Sequence, residues 1–476
     1  MPFYLRSIFK YVRSFKFLLA FVLFFVLTSK ATLSAQSISL FDAVQSACNN
    51  YPLLKQIEAQ CNQFKAHIRT VVNNNRLPAL KIMEEGTLGT SNSLPGGYFS
   101  MGIVPSASGS IRPAEKTALA SGNIAVSYLD WQFYTFGYYK AQNNEATAQF
   151  NTQLAAYEAE KYLLTGNVVQ LYLDLLKKYK LWTIEKENVH RIEAITLAIK
   201  ANVNSGLKAG VDSATANAVF ANAKVAMLQA ENDFVNDRLS FITLSGNAFS
   251  SFIPDTSLLL QGKFQSLLKN INQDSLAQTN PLLLLPQSQL SLQLAEQKSI
   301  SKKYLPHFAL EGAGWFRGTS ISNSDVYSSN LANAMLYSRY NYLMGLTISY
   351  NLTDIIHRKN EMAEQHYKIK AQEENLAYNQ LMLQTMLAQA RNNFNLNKNM
   401  LLELPFALQS GQDAYIQQMA LYQSGLNTLI DVTNALFELK QEQTKLLLAQ
   451  VDYLKTLFLL AGYTNNLNGF LENCKN

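Results

Sequence analysis

The sequence states one plan twice, and that duplication constrains its fold more than any local signal does. The first copy places "NNYP" at Pro52 and "RLP" at Pro78, 26 residues apart; the second places "TNP" at Pro281 and "YLP" at Pro306, 25 apart. "VSY" ending at Tyr128 is matched by "ISY" ending at Tyr350. "NSG" at Gly206 and "QSG" at Gly425 follow 78 and 75 residues later. An aspartate comes six residues after each glycine, Asp212 and Asp431, and the copies close on "LSG" at Gly246 and "LAG" at Gly462. Six landmarks in one order at near-equal spacing predict two copies of one structural unit.

Within each copy the periodicity changes between helix and strand. Pro52 to Leu77 is helical in composition, and Pro78 stops it. Tyr340 to Tyr350 alternates: Tyr340, Tyr342, Met344, Leu346, Ile348 and Tyr350 on one face, with Asn341, Gly345, Thr347 and Ser349 on the other. Such a strand has one apolar face with aromatics at both ends. Phe308 to Phe316, Leu80 to Leu88 and the short run Ile124, Val126, Tyr128 are weaker candidates. Glu84 interrupts the face of Leu80 and Ile82. Loops rich in Gly, Ser, Pro and Asn, Gly89 to Lys116 and Gly318 to Met335, join the strands in pairs and read as surface loops.

A very long helical pattern follows each pair, from about Thr135 to Val203 and from about Thr353 to Gln423. At ~1.5 Å per residue, 70 residues reach roughly 105 Å. Pro405 is expected to kink or interrupt the second. The return helices, Asp212–Ser245 and Asp431–Ala461, carry heptads. Phe220, Met227, Phe234 and Phe241 recur every seven residues, with Ala216, Ala223 and Ala230 between them. Leu429, Val432, Leu436, Leu439, Leu446, Leu457 and Leu460 form the second seam, which periodicity alone does not distinguish from a helical-bundle core.

Charge and the N-terminal pattern indicate the compartment. Arg6, Lys10, Arg13 and Lys16 precede an apolar run of eleven residues, Phe17 to Leu27, and then the small-residue stretch "TSKATLSA". Eleven apolar residues are too few to span a bilayer as a helix, so 1–35 reads as a cleavable signal peptide. Five of the 40 Lys and Arg fall in 1–35 and none of the 34 acids does, leaving a net charge of +1 beyond it. No polycation remains to suggest nucleic acid. Cys48 and Cys61, thirteen residues apart on one predicted helix, cannot bridge within it. Three cysteines and five scattered histidines show no metal-ligand spacing. No nucleophile–base pairing or phosphate loop appears, so neither enzyme nor cofactor is expected.

The segments "SLFDAVQSACNNYPLLKQIEAQ" and "LYQSGLNTLIDVTNALFELKQEQTKLLLAQVDYLKTLFLLAG" resemble the N- and C-terminal signatures of the TolC-like outer-membrane efflux channels. "DWQFYTFG" and "YNLTD" are similar to that family's strand-to-helix corner, the second without its usual proline and phenylalanine. The resemblance implies a mixed α+β membrane protein of the outer membrane. It would be a homotrimer, each protomer giving four transmembrane strands to a twelve-stranded barrel and long helices to a periplasmic coiled-coil barrel. Independently, four strands cannot close a barrel, and an open edge in lipid leaves backbone groups unsatisfied. The expected organisation is a signal peptide (1–35), first repeat (36–246), equatorial linker (247–274), second repeat (275–462) and equatorial tail (463–476).

The implied function is a passive exit duct in a tripartite efflux or type I secretion system, with a periplasmic adaptor, an inner-membrane pump and outer-membrane lipid as partners. The alternative is an exported structural coiled coil or adhesin without a conduit. Gly206 and Gly425 would mark the helix-tip turns, where positive φ suits glycine. By resemblance Asp431 lines the pore constriction, with Asn434 where relatives often carry a second acid, and Tyr422 with Asp212 forms a gate latch. Both aspartates also suit ordinary helix N-terminal capping, and that reading stays open. The mature chain is expected to begin near Gln36; N-terminal sequencing of membrane-extracted protein checks this, and retention of Phe17–Leu27 would refute it.

Overall fold

Proline and glycine set most element boundaries in the computed structural model, which describes residues 36–92, 114–206, 209–245, 252–259 and 279–475. The expected signal peptide 1–35, most of the first strand-joining loop, Gly246 and most of the expected linker 247–274 lie outside the described residues. The chain begins with β1 (Gln36–Ile38), α1 (Leu40–Asn50), α2 (Pro52–Arg76), β2 (Ala79–Gly89) and β3 (Ala120–Tyr134). Then come α3 (Tyr138–Asn204), α4 (Gly210–Ser245), β4 (Phe252–Pro254) and α5 (Pro281–Lys303). The remainder is β5 (His307–Thr319), β6 (Arg339–Ser349), α6 (Asp354–Gln423), α7 (Leu429–Tyr463) and α8 (Leu467–Asn473). In both copies a Leu-Pro pair separates helix from strand, Leu77-Pro78 before β2 and Leu305-Pro306 before β5. Proline cannot continue a helix and holds the preceding residue extended.

Two compact units emerge, and each draws on both halves of the sequence. One comprises 57–157 and 282–379. It contains an antiparallel four-stranded sheet in the order β2-β3-β5-β6. Register pairs Leu346 with Leu310 and Tyr342 with Gly314, then Gly314 with Ser127, and Ser127 with Ile82. Paired residues point to the same side. Tyr340, Tyr342, Met344, Leu346 and Ile348 therefore share a face with Leu310, Leu129, Trp131, Leu80 and Ile82. Lys81, Glu85, Asp130, Glu311, Arg317 and Arg339 lie on the other. Ile124, Val126 and Tyr128 fall on this second face, and β3 is far longer than those three residues, at 15. Glu84 is the charged exception on the apolar face, and the Tyr337 hydroxyl donates to its Oε1 at 2.6 Å. The second loop is braced by a short 3-10 turn, Leu331–Met335, and Lys116 Nζ bonds Asp325 Oδ2 at 2.8 Å across the two loops. Amides join the helices of this unit: Gln365, 2% exposed, donates to the Gln293 backbone oxygen at 2.8 Å, and Gln372 to Gln289 at 2.9 Å.

The other unit comprises the described parts of 1–56, 158–281 and 380–476. Tyr172 of α3 is fully buried; its hydroxyl donates to the Ile38 oxygen at 2.6 Å and accepts from Asp255 N at 2.9 Å. It thereby joins the ends of β1 and β4, which pair in parallel. Burial drives the Tyr172 pKa well above the ordinary tyrosine value. Asn280, of the "TNP" landmark, donates to the oxygen of Gly462, of the "LAG" landmark, at 3.1 Å. A Cβ on Gly462 would stand 2.6 Å from the Tyr162 hydroxyl, so this glycine permits a close helix contact. Helix α7 has the composition of a membrane span, yet 67% of its apolar window is buried. Its seam points inward: Leu429, Val432, Leu436, Leu439, Leu457 and Leu460 are buried, whereas Leu447 is buried rather than Leu446.

Two expectations need correction. Cys48 and Cys61 lie on different helices, α1 and α2, separated by the extended Tyr51 (φ −64°, ψ 118°) that Pro52 enforces. No disulfide joins the three cysteines. Pro405 does not interrupt α6, which continues for 70 residues. Packing against α7 on both sides of Pro405 overrides the lost backbone bond. Phe394 stacks on Tyr453 at 5.5 Å between ring centroids, and a Cβ on Gly411 would stand 3.7 Å from Leu439 Cα.

The turn between α6 and α7 yields a test. Gly425 has φ +75° and open space where a Cβ would lie. Gly425→Ala is therefore expected to cost about 1–2 kcal/mol through backbone strain alone, with Gly425→Asn costing less. Thermal midpoints of helical circular dichroism in detergent, ordered wild type above Asn above Ala, check this; equal midpoints would contradict it.

Candidate functional site at the helix turns

Two helical reversals lie in one unit, α3 into α4 and α6 into α7. Each long helix ends on a glycine at φ +75°, Gly206 and Gly425. Gly206 N donates to the Val203 oxygen at 3.0 Å, and Gly425 N to the Tyr422 oxygen at 3.1 Å. Leu426 N reaches back to the Leu421 oxygen at 2.9 Å, which completes a Schellman cap on α6.

Helix α7 then starts with a capping box. Thr428 is its N-cap: Asp431 N donates to Thr428 Oγ1 at 3.3 Å, and Asp431 Oδ2 accepts from Thr428 N at 3.1 Å and Oγ1 at 2.5 Å. The hydroxyl bond, followed by the backbone bonds, holds the Asp431 pKa below the ordinary carboxylate value. Asp431 thus has a local structural role in the chain. Asn434 follows three residues later and is exposed. Ile430 and Phe437, which the sequence reading passed over, flank Asn434 on the same face and are also exposed. Their spacing of four and three residues was visible, but heptad analysis had followed the buried seam instead.

Tyr422 sits beneath the turn, 6% exposed, in a cluster drawn from four helices. Ile195 and Ile199 come from α3, Ala216 and Ala223 from α4, and Leu429, Val432 and Leu436 from α7. The Tyr422 pKa is raised, first by burial and then by the Asp212 carboxylate. Asp212, half-buried in the first turn of α4, is therefore an electrostatic neighbour of Tyr422 across helices. Thr196 Oγ1 adds a bond to the Ala216 oxygen at 3.4 Å. Farther along, Lys440 bonds Glu185 at 2.8 Å beside a groove of about 230 Å³ lined by Asn188, Asn222, Thr433 and Lys440. Among the described residues no group of three or more His, Cys, Asp or Glu assembles for a metal.

The outer membrane efflux protein family model matches residues 43–247. No curated protein sequence matches the chain significantly. Solved structures share its fold along nearly the full length. CusC aligns at TM-score 0.70 and 16% identity, covering 90% of this chain and 92% of CusC. The outer-membrane channel OprN aligns at 0.68 and 15%, covering 93% and 95%. The outer membrane protein VceC of Vibrio cholerae aligns at 0.66 and 14%, covering 91% and 95%. Residues 43–247 are thus similar to the outer membrane efflux proteins, and the chain has the fold of outer-membrane channels along nearly its full length.

Proposed function

We propose that three copies close a twelve-stranded barrel and together form the exit duct of a tripartite efflux or type I secretion system. The observation that carries this is the pair of open sheet edges. β2 and β6 are each 11 residues long and terminate the sheet on opposite sides. Neighbouring strands are antiparallel throughout, so β2 and β6 run in opposite directions. The β6 edge of one copy therefore suits the β2 edge of the next as an antiparallel pair. Eleven tilted residues match a bilayer's hydrocarbon thickness. Lipid supplies no partner for an exposed edge, and four strands fall short of the usual minimum of about eight. In this arrangement the face of Tyr342, Met344 and Leu346 meets lipid, and that of Lys81, Glu85 and Glu311 lines the water-filled interior.

The turns at Gly206 and Gly425 form the periplasmic tips, presented to an adaptor and an inner-membrane pump. Asp431 and Asn434 then approach the three-fold axis, giving one ring of carboxylates and one of amides. The cap bonds to Asp431 all use Oδ2, which is compatible with Oδ1 facing the pore. Tyr422 and Asp212 act as the latch that holds the α6–α7 hairpin inward. A hydrogen bond to a charged group contributes about 1.5–3 kcal/mol, enough to bias a marginal closed state.

Register makes the barrel testable. Leu346→Arg is expected to destabilise the assembled channel by about 2–4 kcal/mol near the bilayer midplane, and Thr347→Arg by much less. Heat-modifiable migration of the outer-membrane fraction reads this out, and equal tolerance at both positions would refute the assigned faces. For the gate, Tyr422→Phe combined with Asp212→Ala is expected to raise single-channel conductance in planar bilayers. Asp431→Ala should instead weaken block by multivalent cations with a smaller rise in conductance. A double variant conducting like wild type would leave Tyr422 and Asp212 as packing residues only.

A further inference from the structure

Both copies leave an exposed apolar corner where a strand hands over to a long helix, and cations follow each. The first corner is Phe133, Tyr134 and Phe136, all exposed. Tyr134 and Phe136 pack edge-on at 4.8 Å, and both contact the ring of Phe308 on β5. Exposed Lys140 follows in the first turn of α3. The second corner is Leu352, Ile355 and Ile356, at 76%, 62% and 64% exposure, followed by exposed Arg358 and Lys359. The nearest downstream acids are engaged elsewhere: Glu361 by Lys303 at 3.1 Å and Tyr304 at 2.5 Å, and Glu364 by Lys368 at 2.6 Å. Asp354, one turn before Arg358, makes no salt bridge with it within the described residues.

We infer that these two corners form a docking surface for anionic phospholipid, with Lys140, Arg358 and Lys359 meeting the headgroup phosphates. This rests on the proposed lipid-facing register. Exposed Tyr350 and Leu352 follow directly after β6 ends at Ser349, so the exposed apolar run of the strand passes on into the corner. Chemistry along the chain then follows the depth order of a membrane: aliphatic strand, aromatic and branched corner, cations. Arg358 lies six residues beyond Leu352, less than ~10 Å along a helix. A headgroup layer is about 5–7 Å deep. Uncompensated positive charge at that depth selects anionic over neutral lipid and disfavours a second copy of the same cationic surface.

The test uses mature wild-type protein and the Arg358→Gln, Lys359→Gln double variant. Both are reconstituted in vesicles of equal parts phosphatidylcholine and phosphatidylglycerol, re-extracted gently and analysed for retained lipid by native mass spectrometry. Wild type is expected to retain phosphatidylglycerol over phosphatidylcholine about fivefold or more, on the scale of one cation near an anionic surface. The double variant is expected to fall toward parity while its conductance stays unchanged. Parity in a conducting wild type, or undiminished preference in the variant, overturns the inference alone; a wild type that does not conduct overturns the channel reading beneath it as well. A fluorophore at Ile356→Cys is expected to be quenched by brominated phospholipid. Disulfide cross-linking between copies at that position, without quenching, would place the corner against a second copy and overturn the lipid assignment.

Discussion

An amide hydrogen in hydrocarbon has no water to turn to, and in the proposed barrel this demand governs the strand-bearing unit. A four-stranded sheet satisfies its inner strands and leaves two rows of donors and acceptors open. In water such edges are a liability, usually blunted by charge, proline or brevity. Here β2 and β6 are full-length, and β6 carries apolar side chains along one face. A chain built this way is incomplete by itself in a membrane. The proposed closure by like copies answers that demand and simultaneously creates a lumen, so one backbone constraint generates both the assembly and the conduit.

Some of this was legible in the sequence because the signals were local and strong. The alternation from Tyr340 to Ile348 found β6 because that strand has one apolar face. The Leu-Pro pairs found the helix ends, and the spacing of glycine landmarks found both reversals. Other features were hidden by their tertiary context. β3 is paired on both sides, and its two faces are Ile124, Val126 and Tyr128 against Ala125, Ser127 and Leu129; neither contrasts sharply enough to mark its full length. β1 and β4, three residues each, are too short for any period to show. Pro405 reads as a break only when its neighbours' packing is unknown. At the candidate site, Tyr422 and Asp212 were found through resemblance, and their proximity emerged only when four helices were brought together. Of the two alternatives for Asp431, the capping box is visible within one chain, whereas a ring of carboxylates would need three.

In the proposed exit duct no reacting atoms need positioning, and the chemistry of the described residues is compatible with that. Apart from Glu84, charged residues of the sheet occupy one of its faces. Buried polar side chains are occupied in joining elements, as Tyr172, Asn280 and Gln365 do. The recurring use of amides between helices supplies directional contacts without fixed charge.

The glycine turns have a mechanical corollary. In the α6–α7 reversal, the final carbonyls of one helix are satisfied by Gly425 and Leu426, and the first amides of the next by Thr428 and Asp431. Among the described residues the reversal is closed upon itself and takes no main-chain bond from the adjoining hairpin. The contacts that join the two hairpins in the buried cluster are aliphatic side chains and Tyr422, with the Lys440–Glu185 ion pair beside it. Under the proposed gating, such a hairpin would move as a stiff lever, because parting it from its neighbour leaves both backbones intact. Wear from repeated opening would then fall on replaceable side-chain packing, with the turn itself as the part that never has to refold.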